Sequence, residues 1–216
     1  MRLRIVGVSA SPRQANTEIL VRTALEAARI NDKVETTFVS LANKKISGCI
    51  NCRACVSAGK CILKDDWAQC FDALLNPIPD GVIIGAPVYF FNLNSQARAF
   101  MERTTSLIKS LFEQDAVGQP PDWSRTAAGA IAVGADRHGG QEHALSSLHH
   151  WFLINNFVCV GGSHIGYIGA PAWLCGYRQR DGVRKDTAIG MEAARIVGKR
   201  VATTAMLLAA GQAALN

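Results

Sequence analysis

The chain has 216 residues, close to half of them hydrophobic, and a formal net charge of +6. That length suits one α/β domain, and it buries enough core to stand without disulfides. No apolar stretch reaches a membrane span, and the opening MRLRIVGVSASPRQ lacks the long apolar region and cleavage site of a secretory signal. The expectation is therefore a cytoplasmic protein with no membrane partner. Its basic residues are scattered and form no nucleic-acid motif, so the charge points to anionic ligands or an acidic redox partner rather than to nucleic acid.

Strand and helix periods alternate along the chain. A short apolar run over residues 3–8 reads as a buried strand, and residues 17–30 carry helical spacing. The run VETTFV over 34–39, rich in β-branched residues, reads as a second strand. Residues 65–75 read as a helix. A third strand, GVIIGA over 81–86, is expected to stop at Pro87, and 95–111 to form a helix. Residues 127–133 and 157–161 read as the fourth and fifth strands, with a helix over 141–155 between them. A long alanine-rich helix over 187–215 follows, with a break expected near Gly198. Five strands alternating with helices imply a parallel sheet covered on both faces. The first turn lacks G-x-G-x-x-G, so a doubly wound flavodoxin-like order, 2-1-3-4-5, is expected over the six-strand dinucleotide order.

Four cysteines follow the second strand: Cys49, Cys52, Cys55 and Cys61, spaced C-x2-C-x2-C-x5-C. Bacterial ferredoxin segments use a similar run for a cubane iron–sulfur cluster. Structural zinc more often takes two C-x-x-C knuckles further apart, and redox thiols or disulfides are the plainer alternative. The spacing favours a cluster and leaves the other two readings open. In a reducing compartment, close cysteine spacing points to metal or redox chemistry.

Three loops after strands carry the remaining chemistry. Residues 9–17, SASPRQANT, join the first strand to a helix; helix-start N–H groups with Ser and Thr hydroxyls suit a phosphate monoester, and Arg13 would clamp it. The plainer reading is a Ser-Pro turn with Asn16 capping the helix. After the third strand, Pro87, Val88, Tyr89 and Phe91 offer apolar and aromatic neighbours for a flat ring, and Asn92 and the main chain offer hydrogen bonds; the same aromatics also suit a core or a subunit interface. After the fourth strand, Gly134 and Gly139 let backbone approach a ligand, and Arg137 would balance negative charge on it. His138, His143, His149 and His150 lack a carboxylate set for a metal and read as solvated or interface residues.

These segments resemble a known family. GVSASPRQANTE is similar to the phosphate loop of flavodoxin-like FMN reductases, APVYFFNLNSQARAFMERT to their flavin-ring loop and following helix, and GGQEHALSSLHHWF to a later segment. With the four cysteines, the pattern is that of the iron–sulfur flavoproteins of this superfamily. The resemblance covers most of residues 1–163 and departs from the commoner S-G-S-P-R form at Ala10. It implies one FMN and one [4Fe-4S] cluster per subunit in a homo-oligomer, a dimer or a tetramer built as a dimer of dimers. Carried over by position, Ser9, Ser11, Arg13, Asn16 and Thr17 would hold the phosphate. Pro87, Val88, Tyr89, Phe90, Phe91 and Asn92 would hold the ring, and Cys49, Cys52, Cys55 and Cys61 would ligate iron. The expected organisation is one FMN-binding domain over 1–216, with a cluster-binding loop at 41–66 and a C-terminal extension at 164–216.

The expected activity is that of a flavin-dependent oxidoreductase. It would move electrons between ferredoxin, or NAD(P)H, and a small acceptor. The alternatives are an NAD(P)H-dependent FMN or quinone reductase without a cluster, and a thiol-based redox sensor. Because the cysteine loop follows strand 2, it is expected at the carboxyl edge of the sheet. Strands 2 and 3 lie about 10 Å apart, which would set the cluster on the far side of its own flavin, closer to the ring of a neighbouring subunit.

Overall fold

The structure is a computed structural model that describes residues 2–177 and 179–215. Its strands are β1 (Leu3–Ser9), β2 (Val34–Ser40), β3 (Gly81–Tyr89), β4 (Asn92–Leu93), β5 (Ala127–Gly134), β6 (Val158–Val160) and β7 (Ala170–Trp173). Its helices are α1 (Asn16–Ala28), α2 (Ala54–Ala58), α3 (Trp67–Phe71), α4 (Ser95–Glu102), α5 (Gln141–Ile154), α6 (Ser163–Gly166) and α7 (Glu192–Leu215).

The parallel sheet runs β2-β1-β3-β5-β6, the expected 2-1-3-4-5 order, but the described residues hold seven strands rather than five. The two additions have local causes. β4 turns back antiparallel onto the end of β3 through a two-residue hairpin. The expected fifth strand is shared between two segments: β6 pairs Ala127–Gly129 of β5, and β7 takes over along Ile131–Gly134. Between them the chain leaves the sheet through α6 and returns.

β3 also runs through Pro87 to Tyr89, where sequence had it stop. β1 pairs β3 only as far as Gly85, so beyond that point one edge of β3 has no neighbouring strand from β1, and proline's missing N–H removes no ladder bond there.

The two faces follow the period of two. Ile5 and Ile83 face α1 and α7, packing with Leu20, Val21, Leu25, Val197 and Val201. Val6, Val8, Val82 and Ile84 face the other layer, with Phe71, Phe100, Trp123, Phe152 and Phe157. Trp123 stacks on Phe157 with ring centroids 5.0 Å apart, and Trp67 on Phe71 at 4.8 Å. These aromatics bury large areas and fill the layer with few residues.

Three helices are shorter than their sequence periods. The expected helix over 65–75 is α3 followed by a tight 3₁₀ turn at Asp72–Leu74. The expected helix over 95–111 ends at Glu102 and continues as 3₁₀ turns, Arg103–Ser106 and Lys109–Leu111. The long final helix opens with a π turn at Thr187–Met191 before α7. Gly198 does not break α7. It is the crossing point with α1: a Cβ there would sit 2.0 Å from the Ala24 carbonyl oxygen. The described part of the expected C-terminal extension, 164–216, thus supplies an edge strand of the sheet, β7, and the helix that covers α1, α7. Among the described residues no helix is long and apolar enough to cross a membrane.

Candidate cofactor sites

β1 ends in the loop that enters α1. Ser9 is buried, and its Oγ has no partner among the described residues. Ser11 is buried and its Oγ accepts the Arg13 N–H at 3.1 Å, which folds the loop into a tight turn. Arg13 is exposed. α1 begins at Asn16, and the residue before it, Ala15, offers no side-chain cap. The first-turn N–H groups therefore lack both intrahelical and capping partners. An unpaired buried hydroxyl and an uncapped helix start suit an anionic group such as a phosphate.

Asn16 does not cap the helix. Its Nδ2 donates to the Gln179 carbonyl at 2.8 Å, and its Oδ1 accepts the Val183 N–H at 2.9 Å. The side chain ties the loop to the C-terminal segment, so what Asn16 offers a ligand is its backbone.

Ser11, Arg13, Asn16 and Thr17 line a cleft of about 150 Å³ together with Pro87, Val88 and Tyr89. The cleft is closed by Ala15, Val133, Ala135, Leu174 and Tyr177. It is smaller than the ~300–1,000 Å³ of sites that enclose a whole ligand, so it has room for only one part of a ligand. Leu174 and Tyr177 come from the segment after β7, far from the loops in sequence. Tyr177 Oη donates to Asp136 Oδ2 at 2.6 Å, and that bond pushes the phenol above its ordinary value.

The other residues singled out by sequence lie around this cleft rather than in its lining. Phe90 and Phe91 are the two turn residues of the β3–β4 hairpin, with φ of 47° and 64°, and both are exposed. Two positive φ values make a tight hairpin turn that matches strand twist, a conformation aromatic residues rarely adopt. Gly140, at φ 101°, lies against Phe91, and a Cβ there would meet its Cα at 2.4 Å. Asn92 Oδ1 accepts from the Leu93 N–H and from Ser147 Oγ, at 2.8 and 2.7 Å, fixing the hairpin to α5.

Gly134 accepts from the Leu174 N–H at 3.0 Å, and Gly139 donates its N–H to Gln141 Oε1 at 2.9 Å. Arg137 pairs with buried Asp186 at 2.9 Å and lies 5.0 Å from the centre of the Trp173 ring. Its charge is thereby balanced within the protein.

The cysteine segment leaves β2 and runs alongside α4. Gln96 Nε2 donates to the Leu41 and Lys44 carbonyls, and Arg103 Nη1 to the Ser47 carbonyl at 3.1 Å. The returning strand of the loop pairs with the outgoing one: Asp66 N–H donates to the Lys45 carbonyl, and Ser47 N–H to Asp65 Oδ2. These bonds close the neck of a loop over 48–64. Its far end docks on the turns after α4, where Val117 N–H donates to the Val56 carbonyl at 2.8 Å and Arg53 pairs with Glu113 at 2.7 Å.

Cys49, Cys52, Cys55 and Cys61 all line one pocket, with Arg103, Thr105, Ser106 and Lys109 behind them. All four are free thiols. Burial pushes the Cys55 thiol up, and Lys109 opposes it. The pocket lies at the C-terminal end of α4, not beside the β1–α1 loop at the carboxyl edge. Asn94, just before α4, donates to the Ala10 carbonyl of the β1–α1 loop, so α4 runs from one candidate site towards the other. Its eight residues span about 12 Å.

No three His, Cys, Asp or Glu side chains among the described residues come close enough to hold a single ion. A polynuclear cluster spreads its ligands wider than one ion does. Four thiols facing one pocket with cations behind them therefore fit an iron–sulfur core, whose thiolates bring net negative charge.

Arg103 and Lys109 were not among the residues that sequence reasoning selected. Arg103 falls three residues after buried Phe100 and six after buried Ala97, just past the end of α4, and that spacing is the signal that marks it.

A doubly wound sheet with a cleft at the crossover between β1 and β3 defines the flavodoxin-like class. The sequence profile of the NADPH-dependent FMN reductase family matches residues 3–167. An iron-sulfur flavoprotein of Methanocaldococcus jannaschii is 36% identical over 95% of this chain and 99% of that protein. One from Methanosarcina thermophila is 33% identical over 77% of this chain and 82% of its own length. A flavodoxin, WrbA-like protein from Agrobacterium tumefaciens superposes with a TM-score of 0.59 at 19% identity, covering 95% of this chain and 98% of that one, which supports the fold. The chain belongs to the NADPH-dependent FMN reductase family, among its iron–sulfur flavoproteins, and is a flavin-dependent oxidoreductase.

Proposed function

We propose that this chain binds FMN in the cleft between α1 and the end of β3 and a [4Fe-4S] cluster on Cys49, Cys52, Cys55 and Cys61. It would transfer electrons between a one-electron donor such as ferredoxin, or NAD(P)H, and a small acceptor. The observation that carries this is the convergence of all four cysteines on one cation-backed pocket, separate from the flavin cleft. When bound, a flavin exchanges one or two electrons and a cubane exchanges one, so together they join two-electron to one-electron chemistry.

The chain's own residues do the holding. The backbone N–H groups at the start of α1, with Ser9, Ser11, Thr17 and Arg13, receive the phosphate end. Pro87, Val88 and Tyr89 give one apolar wall, and Val133, Ala135 and Leu174 the other, which excludes water from what lies between them. Arg103 and Lys109 offset the charge of the thiolates. The net charge of +6 favours an acidic protein donor.

The reading includes a homo-oligomer, dimer or tetramer. α4 lies between the two sites of one chain, so the cysteine pocket of one copy is assigned to the flavin cleft of another. Stopped-flow mixing of the anaerobic protein with reduced ferredoxin and, separately, with NADPH tests the function. Flavin bleaching by at least one of them is expected, and Cys55→Ser is expected to slow the ferredoxin reaction while sparing FMN content. A protein whose flavin neither donor reduces would refute the proposal.

A further inference from the structure

Arg103 is 1% exposed, although it stands at the end of a short helix and carries a full charge. Its guanidinium is held by an ion pair, a main-chain carbonyl and an aromatic ring. Nη1 donates to Asp65 Oδ2 at 2.7 Å and to the Ser47 carbonyl at 3.1 Å. The Trp67 ring centre lies 5.1 Å from its central carbon. Asp65 is itself fixed by the N–H groups of Ser47 and Trp67. Nε donates to Cys61 Sγ at 3.2 Å.

We propose that Arg103 is a positioning residue that aims an N–H···S hydrogen bond at the Cys61 sulfur and so raises the reduction potential of the cluster ligated there. This rests on the ligation by Cys61 proposed above. The neighbouring cation, Lys109, is partly answered by Glu113 at 3.2 Å. Among the described residues, Cys61 alone of the four pocket thiols has a side-chain donor.

One added electron increases the negative charge on the ligand sulfurs. A fixed donor stabilises that electron-rich state more than the oxidised one. Burial strengthens the effect, because the surrounding medium screens it less than water would. The Asp65 carboxylate cannot substitute for this role. It orients the guanidinium, but its own negative charge acts in the opposite sense on the sulfur.

The test compares Arg103→Lys and Asp65→Asn with the wild type by redox titration under EPR, after iron and acid-labile sulfide are assayed on each. In Arg103→Lys the ammonium remains with Asp65, and Cys61 loses its donor. The one-electron reduction equilibrium is expected to fall about tenfold, or ~59 mV. Asp65→Asn removes a negative charge and is expected not to lower the potential. A residue that only closed the neck of the loop would move both variants alike. A fully loaded Arg103→Lys protein with the wild-type potential overturns the inference.

If Arg103→Lys fails to hold the cluster, wild-type protein carrying ¹⁵N-arginine decides by electron–nuclear double resonance. A coupling to an arginine nitrogen in the reduced state supports the proposal, and its absence overturns it. Wild-type protein without iron and sulfide would instead remove the ligation on which this rests.

Discussion

Ser9 Oγ is buried at the end of β1 with no hydrogen-bond partner among the described residues. An unsatisfied buried hydroxyl normally costs stability, and a ligand oxygen in reach of it reverses that cost. Ser9→Ala is therefore expected to leave the flavin-free protein at least as stable in urea denaturation. FMN affinity, read by fluorescence titration, is expected to fall roughly ten- to hundredfold, since a hydrogen bond to a charged group contributes ~1.5–3 kcal/mol. An unchanged affinity would detach Ser9 from the ligand.

The residues of this loop were legible because a strand, small hydroxyl residues and a helix start follow each other within nine positions. Tyr177 and Leu174 were not, because nothing local marks a side chain that returns to the cleft from the far end of the chain. Arg137 shows the converse. Its loop position suggested a ligand, while its charge is taken up by Asp186, which only the fold brings near.

The helices and strands were legible where their faces are buried on one side throughout. α1 and α5 match their periods to within two residues at each end. The sequence of α4 keeps its helical period beyond Glu102, but the structure tightens there into 3₁₀ turns as Arg103 turns inward to Asp65 and Cys61. The split of the fifth strand into β6 and β7 was invisible because each part is too short to show a period. Gly198 looked like a break because glycine weakens an isolated helix by about 1 kcal/mol relative to alanine. Its actual partner is the backbone of α1. Gly198→Ala is thus expected to destabilise the protein by about 2 kcal/mol or more despite its gain in helix propensity, as measured by thermal or denaturant unfolding. A stabilised variant would show that the crossing can open without cost.

The neck of the cysteine loop depends on the Asp65–Arg103 pair. Burial alone would raise the Asp65 carboxyl, but the hydrogen bonds from Arg103 and from the Ser47 and Trp67 N–H groups hold it below the usual carboxylate range. Its contribution is complete above the unfolded value of about 3.9 and is lost as the pH falls through the lower folded value. Asp65→Asn is expected to cost about 3 kcal/mol at neutral pH. That gap should narrow as the pH falls below about 4, when unfolding of the variant and the wild type is compared across pH. A gap that stays constant with pH would show that the carboxylate's charge does not hold the neck.

At the scale of the molecule, one short helix separates two sites of different chemistry. The loop between β1 and α1 meets the start of α4, and the cysteine pocket meets its end. The candidate cleft is completed by Leu174 and Tyr177, after β7, so the C-terminal segment lines it as well as adding to the sheet. The order of the sheet was legible from alternating periods, and the cysteines from their spacing. Their displacement along α4 was not, because it is set by Gln96 and Arg103 binding the main chain of a segment with no regular structure of its own.

The central claim is that the four thiols hold an iron–sulfur cluster in a protein that also holds FMN. Protein purified without oxygen and assayed for iron, acid-labile sulfide and FMN, with a visible spectrum before and after reduction, tests it most directly. The account predicts four irons and four sulfides for each FMN, the stoichiometry of a cubane, with broad absorption underlying the flavin bands that bleaches on reduction. A flavin spectrum with no iron, no sulfide and no underlying absorption would contradict it.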